Sequence, residues 1–432
     1  MRDSSESQAS VLDRSTNPAP RLQQSIQLRH AVALYISSVL GSGVLVLPGL
    51  AAQIAGPASL FAWVVLSLAS YPFAYTFATL SARRPESGGV YAFARESFGL
   101  RIATVVGWLF ALWFVSGAPA VTLIAASYIS YALPMARGES YVIAACVILL
   151  AFVINYRGIT FSNRVQMGVV SSIVVLLVAA VVFSLGSMRS TEFAPFAPHG
   201  LFPIGTAAAL IFWSYLGYEN VSNIAEEFSN PERDFKRSVR LSVLFIGILY
   251  VAVAAVTIGT GAYVAGGSVA PFAAIFSNVL GRFGALGTAV LALFIIFGAA
   301  NAYTTGMSRV IYAVAGDGGM PRFLYHLHPR NGVPDRSLIT LFSLAMAMLA
   351  IYFVTGINLE TALLIPSGAA ILVYVIGSAS GVKLLRTHKG GNLFAWISLL
   401  MSLAILPFVG TLALVAIVTA LAGLGFIRIA QK

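Results

Sequence analysis

The chain has 432 residues, 58% of them apolar and 9% charged, with a mean hydropathy of +0.87. Soluble globular domains carry about 25% charged and roughly 45–50% apolar residues, so this composition excludes the soluble class. It also excludes disorder, which needs low hydrophobicity and high charge, and the single cysteine, Cys146, excludes a disulfide framework or a thiolate metal cluster. The length has room for twelve helices of about 20 residues each. The chain reads as a polytopic, all-α integral membrane protein.

Residues 1–28 carry six serines, two prolines and mixed charge, without the apolar core of a signal peptide. They read as a disordered cytoplasmic tail. Apolar stretches bounded by charge, Pro or Gly then follow at roughly 30–54, 58–82, 102–133, 140–155, 164–186, 203–226, 239–262, 286–314, 337–354, 359–382, 393–407 and 409–428. Little more than Val409-Gly410 separates the last two, and a re-entrant pair is the alternative there. Twelve spans is the expected count.

Charge placement tests that count. With the N-terminus cytoplasmic, 23 of the 26 Lys and Arg fall on cytoplasmic segments, and only Arg137, Arg189 and Arg282 fall outside. One missed helix would invert every later loop, so the asymmetry supports twelve spans with both termini cytoplasmic in the inner (plasma) membrane. The net charge of +11 is thereby dispersed as topology signals, with no basic groove for nucleic acid.

Two spans are interrupted. The first contains Gly41-Ser42-Gly43 with Pro48 one turn later, and the sixth breaks around Leu216-Gly217-Tyr218, after Trp213-Ser214. Glycine costs about 1 kcal/mol in a helix interior, and irregular backbone survives in a bilayer only where protein or a watery cavity surrounds it. Breaks five helices apart lie at corresponding positions of two halves with opposite orientation. That is the signature of an inverted-repeat carrier with its site at the breaks. A half-helix N-terminus, here Ser42, Gly43 and Val44, suits a carboxylate. The carbonyls of a half-helix C-terminus, about Trp213, Ser214 and Leu216, suit an ammonium group. Side by side, the two describe an α-amino acid.

These residues resemble the amino acid–polyamine–organocation (APC) superfamily. The resemblance is carried by Gly41-Ser42-Gly43-Val44 with Pro48-Gly49, Pro85-Glu86-Ser87-Gly88-Gly89-Val90-Tyr91 and Phe212-Trp213-Ser214-Tyr215-Leu216-Gly217-Tyr218-Glu219. It is carried most strongly by Glu226-Glu227-Phe228-Ser229-Asn230-Pro231-Glu232-Arg233-Asp234-Phe235. Within the superfamily the chain is most similar to the bacterial amino acid efflux branch, which includes an L-methionine/branched-chain amino acid exporter, with Gly356-Ile357-Asn358-Leu359 before span ten. Lys236 departs from the pattern, since many members have proline before the arginine.

The resemblance implies a LeuT-like 5+5 inverted repeat of 12 transmembrane helices with helices 1 and 6 broken. Residues 29–190 would form the first repeat, 191–390 the second, and 391–432 spans eleven and twelve with a short tail. It implies that Ser42 and Gly43 hold the substrate carboxylate, that Val39 lines the same site, and that Trp213, Ser214 and Leu216 take the amino group. Trp213 would also act as a gate. Gly117 and Ala118 on span three and Tyr303 on span eight fall where relatives contact the substrate side chain. Glu219 matches an acidic residue that couples gating in the arginine/agmatine antiporter branch. An acid inside a span costs about 2.5–3.5 kcal/mol on insertion scales, and the alternative role for Glu219 is to cap span-six backbone or bond a neighbouring helix.

No charged residue is aimed at a substrate side chain, which favours neutral aliphatic or thioether amino acids as substrate. Ile173 stands where some relatives place a lysine, and Thr304 and Thr305 are displaced from where sodium would need hydroxyls. That leaves the proton as coupling ion, ahead of obligatory exchange and uncoupled transport. Efflux is implied only by the branch; import or exchange by the same fold, and a non-transporting amino acid sensor, are the alternatives. His326 and His328 read as solvated, without a nearby acid, and Cys146 as packing. No nucleophile–base pair, nucleotide motif, cofactor or metal site is expected. The protein is expected to be a monomer or homodimer.

Overall fold

The computed structural model describes residues 32, 35, 36, 39–83, 89–158, 163–218, 231–264 and 266–430; for 163, 164, 166, 231–236 and 389 it describes the backbone alone. Every regular element among them is helical. After a short 3₁₀ turn at Ser42–Leu45 come α1 (Leu47–Ala55), α2 (Ser59–Arg83), α3 (Val90–Phe98), α4 (Leu100–Ala132), α5 (Arg137–Tyr156) and α6 (Asn163–Ser184). Then come α7 (Phe202–Ile211) with a 3₁₀ turn at Phe212–Tyr215, α8 (Pro231–Gly259), α9 (Pro271–Gly316), α10 (Asp335–Thr355), α11 (Leu359–Leu384), α12 (Lys389–Ile405) and α13 (Ala413–Ala430). The expected tail, residues 1–28, lies outside the described residues.

Among the described residues, nine helical stretches are long and apolar enough to cross a membrane. Their burial sorts them into layers. The most apolar 18-residue windows of α4 and α11 are 78% buried, whereas those of α5, α10 and the α12–α13 stretch are only 28% buried. A helix apolar on all faces must be enclosed by protein or by lipid. Side chains such as Val354 (82% exposed), Leu421 (61%) and Leu400 (60%) leave an outer face that only a bilayer can cover. This is a multi-pass membrane protein.

α4 forms the hub, packing against α3, α5, α9, α10, α11 and α13. Small residues permit the close approach: a methyl group on Gly107 would lie 2.8 Å from Val314 Cγ1 of α9. α2 packs along α8, and α1 against α7. The Gly356-Ile357-Asn358-Leu359 stretch makes a helix corner. Gly356, at φ 73°, ends α10 in the left-handed region, and the Asn358 side chain caps α11 by accepting the Thr361 N–H at 2.9 Å.

Four features depart from the expected spans. The break in span one is longer than Gly41-Ser42-Gly43. Helical conformation stops at Leu40, a 3₁₀ turn follows, and α1 begins only at Leu47. A short helix, α3, precedes span three. α9 runs on from a segment, Pro271–Leu280, joined to it at Gly281 (φ 57°, ψ −144°). The last two spans are joined by a 3₁₀ stretch, Leu406–Leu412, with Gly410 at φ 67°.

Candidate functional site

Pro48 explains much of the first break. It has no N–H to offer the carbonyls one turn back, so the Leu45 carbonyl needs another donor. The buried Tyr128 hydroxyl, from α4, supplies it at 2.6 Å. Upstream, Gly41 is extended (φ −107°, ψ −167°) and ends the preceding helical run. The Ser42 and Gly43 N–H groups that open the Ser42–Leu45 turn have no hydrogen-bond acceptor among the described residues. Ser42 is 1% exposed, and its hydroxyl has no partner among the described residues.

The second break mirrors this one. α7 tightens into the Phe212–Tyr215 turn, Leu216 is extended (φ −75°, ψ 147°), and Gly217 has φ 123°, where glycine is favoured. Leu216 N–H donates to the Trp213 carbonyl at 3.3 Å. The Ser214 hydroxyl is buried and, like that of Ser42, without a partner among the described residues.

The two breaks meet at Gly43. A methyl group there would lie 2.6 Å from Trp213 Cδ1 and 3.1 Å from the Ser214 hydroxyl, so only glycine leaves room for these side chains of the second break. The Tyr250 hydroxyl, from α8, joins the breaks a second time. It lies 3.1 Å from the Ser214 carbonyl and 3.3 Å from the Val39 carbonyl, its one proton shared between them. Tyr250 stacks edge-on with Trp63 and Tyr215, at centroid distances of 5.6 and 5.3 Å. Val39, Ser42, Ser214 and Leu216 are all at most 3% exposed, so the junction is closed to solvent.

Trp213 reaches from the breaks to α4. Its Cη2 would lie 2.9 Å from a methyl group on Gly117, which faces Pro366 of α11 and Trp113 as well. The Trp113 and Trp213 rings stand T-shaped, 6.1 Å apart. Pro366 leaves the Ala362 carbonyl without its helical donor, and the Tyr352 hydroxyl lies 3.4 Å from it and 3.2 Å from the Ser116 carbonyl. Ala118 is half-buried, about 100° further round α4. Tyr303, also half-buried, lies on α9, which packs against the Ser42–Leu45 turn.

Val39, Ser42, Gly43, Gly117, Trp213, Ser214 and Leu216 thus gather around one closed junction. Tyr250, Trp113, Tyr128 and Pro366 join them. Sequence reasoning passed over these four; aromatic residues and a proline in mid-span were their only signal. None of the described residues at the junction is charged. Glu219 lies outside the described residues, as do Glu226–Asn230 of the strongest motif.

Away from the junction, Ile173 is buried. Thr305 does not face the breaks: its hydroxyl bonds Asn155 of α5, and Asn155 Nδ2 donates to Asn301 Oδ1 at 2.9 Å. Thr304 donates to the Ala300 carbonyl at 2.7 Å. Two expectations need correction. His326 does have an acid beside it, with Nδ1 2.7 Å from Asp335 Oδ1, because the loop from α9 turns back onto the start of α10. Cys146 is exposed on the outer face of α5 rather than packed inside.

Membrane-crossing helices with two backbone breaks meeting in a closed, uncharged junction are the build of a small-solute carrier. Comparison with known proteins specifies the class. The sequence profile of the amino acid permease family matches residues 26–427. The chain is 34% identical over 409 residues to YecA of Bacillus subtilis, an uncharacterized amino acid permease, covering 95% of this chain and 96% of that one. It is 31% identical over 408 residues to the L-methionine/branched-chain amino acid exporter YjeH of Escherichia coli, covering 93% and 96%. It is also 31% identical over 328 residues to the branched-chain amino acid permease BcaP of Bacillus subtilis, covering 70% and 69%. The chain belongs to the amino acid permease family of the APC superfamily: it is a transporter of amino acids and not an enzyme.

Proposed function

We propose that this permease moves neutral apolar L-amino acids, of the methionine and branched-chain type, out of the cell by proton-coupled alternating access. Twelve spans then form a 5+5 inverted repeat (29–190 and 191–390) followed by spans eleven and twelve, in the inner membrane with both termini cytoplasmic. The observation that carries this reading is the junction of the two breaks. Ser42 and Gly43 open one half-helix, and their N–H groups, without an acceptor among the described residues, would hold the substrate carboxylate. The Val39 and Ser214 carbonyls, bridged by Tyr250, end two others and suit the ammonium. Trp213, between Gly43 and Gly117, closes the site from its side-chain end. An unpaired charge at membrane depth is costly, and the uncharged lining favours a neutral substrate side chain.

Apolar discrimination is shallow, about 1–3 kcal/mol per methylene, so several substrates are expected to compete within roughly a hundredfold range. Efflux rests on the likeness to an exporter over nearly the whole chain, and proton coupling on Glu219 as a protonatable gate.

Counterflow in proteoliposomes tests the substrate: leucine, isoleucine, valine and methionine should compete with one another, and arginine, lysine and glutamate poorly. Preference for arginine or glutamate overturns the neutral pocket. A pH jump across the same vesicles tests the coupling. Glu219→Gln should abolish the response to the pH gradient while substrate exchange persists; an unchanged response reduces Glu219 to a structural role.

A further inference from the structure

The second break carries little backbone bonding of its own. Where α7 ends in the Phe212–Tyr215 turn, Leu216 is extended and its N–H reaches the Trp213 carbonyl at 3.3 Å. Irregular backbone at membrane depth depends on the protein around it, so neighbouring side chains must hold the turn in place. Tyr250 does so from α8, bonding the Ser214 carbonyl at 3.1 Å. A second anchor comes from Tyr215, the residue that follows Ser214.

Tyr215 is 2% exposed, and its hydroxyl reaches α2. It lies 2.6 Å from Ser67 Oγ and 3.3 Å from the Trp63 carbonyl, one turn earlier on that helix. A carbonyl only accepts, so both contacts are met together when Tyr215 donates to Trp63 and Ser67 donates to Tyr215. α2 and α8 close around this chain of bonds. The Ser70 hydroxyl donates to the Ser67 carbonyl at 2.7 Å, and a methyl group on Gly247 of α8 would lie 3.2 Å from Ser67 Cβ. The ring of Tyr215 packs against those of Trp63 and Tyr250, at centroid distances of 6.2 and 5.3 Å. Tyr215 is therefore held both at its hydroxyl and along its ring.

What this fixes is the Ser214 carbonyl. That carbonyl belongs to the peptide group between Ser214 and Tyr215, whose atoms from one Cα to the next lie in one plane. Anchoring Tyr215 at its far end limits rotation of the plane, and with it the direction in which the Ser214 oxygen points. We propose that Ser67 and Tyr215 are positioning residues for the substrate amino group: Ser67, through Tyr215, aims the Ser214 carbonyl at the ammonium. This role rests on the reading of that carbonyl as an ammonium acceptor. It makes selection for the amino group depend on a serine of α2.

The test uses the full-length protein in detergent, titrated with leucine or with 4-methylpentanoate, which is leucine without its amino group, and read by thermal shift. Wild type should prefer leucine. Ser67→Ala and Tyr215→Phe, which keeps the ring, should each weaken leucine binding by about fivefold, the usual net worth of one hydrogen bond. Binding of 4-methylpentanoate should stay unchanged in both. The double variant should lose no more than either single one, because both changes delete the same bond. A merely structural role would affect the two ligands alike. Equal losses for the two ligands, or an unchanged leucine affinity in Ser67→Ala, overturn the positioning role. So do losses that multiply in the double variant. If wild type binds the two ligands equally, the ammonium reading of the Ser214 carbonyl falls and the positioning role with it. A wild-type preference for leucine that survives both single changes leaves that reading standing and removes only Ser67 and Tyr215 from it.

Discussion

Two buried polar regions sit in the same apolar bundle and treat their hydrogen bonds differently. Between α5 and α9, Asn155, Asn301 and Thr305 face one another, and each finds a partner within the group. At the junction of the breaks, Ser42 and Ser214 are as deeply buried, yet neither hydroxyl has a partner among the described residues. The Val39 and Ser214 carbonyls there share a single proton from Tyr250. A satisfied cluster cross-links helices. An under-satisfied one keeps capacity for a ligand that brings its own donors and acceptors, and a buried unpaired polar group costs about 1–3 kcal/mol until then. The contrast is what the proposed binding role of the junction predicts.

The largest expected effect breaks the junction sterically. Gly43→Val places a branched side chain where a single methyl already lies 2.6 Å from Trp213. Overpacking costs about 1–3 kcal/mol, and here it also blocks the approach of a ligand to the backbone. Counterflow is expected to fall to background while the protein still elutes as a folded species. Normal transport by Gly43→Val would remove the junction from the substrate path.

Asn155→Leu is the counterpart on the other side of the comparison. It removes the donor to the Asn301 amide oxygen and one acceptor of the Thr305 hydroxyl, which keeps the Asn301 carbonyl. Interhelical hydrogen bonds in membranes average only about 0.6 kcal/mol, because the separated helices also find partners, so the loss should be about 1–2 kcal/mol in all. The melting temperature should drop with KM unchanged. A change in KM with stability intact would place the amide cluster in the transport pathway.

Tyr250→Phe tests the bridge between the breaks. It keeps the ring contacts with Trp63 and Tyr215 and removes only the shared donor. A loss of about 1 kcal/mol, the usual net worth of one hydrogen bond, should appear as a shift of roughly fivefold in substrate affinity. An unchanged affinity would mean that the two carbonyls take no part in binding.

The reach of the sequence follows from the same physics. Both breaks were legible because glycine in mid-span is penalised unless the backbone is used, and Gly41-Ser42-Gly43 and Gly217 stand out against apolar surroundings. The apolar runs were legible because a bilayer demands them. Tyr250 was not, since a tyrosine in an apolar span has the same pattern as a packing residue until the carbonyls opposite it are known. α3 was missed because its nine residues are too short and too mixed to register as a span. The acid beside His326 was missed because it lies nine residues away, across a turn. The sequence placed the residues that bend the chain; it did not show which distant side chains answer the backbone groups so released.

Ser42→Ala carries the smallest effect and the sharpest sign. Deleting a hydroxyl from a satisfied cluster destabilises a protein, but Ser42 has no partner to lose among the described residues. Replacing it removes an unpaired polar group from a site 1% exposed, so the substrate-free protein should melt at the same temperature or slightly higher. If the hydroxyl donates to the substrate carboxylate, affinity should nonetheless fall, by about tenfold, since one hydrogen bond to a charged group is worth about 1.5–3 kcal/mol and the backbone N–H groups that remain hold the loss at the low end of that range. Stability and affinity then move in opposite directions, a pairing that a merely structural serine cannot produce. Thermal shift with and without leucine, on Ser42→Ala and wild type side by side, reads both quantities. A lower melting temperature with unchanged affinity would assign Ser42 to the scaffold, alongside Asn155.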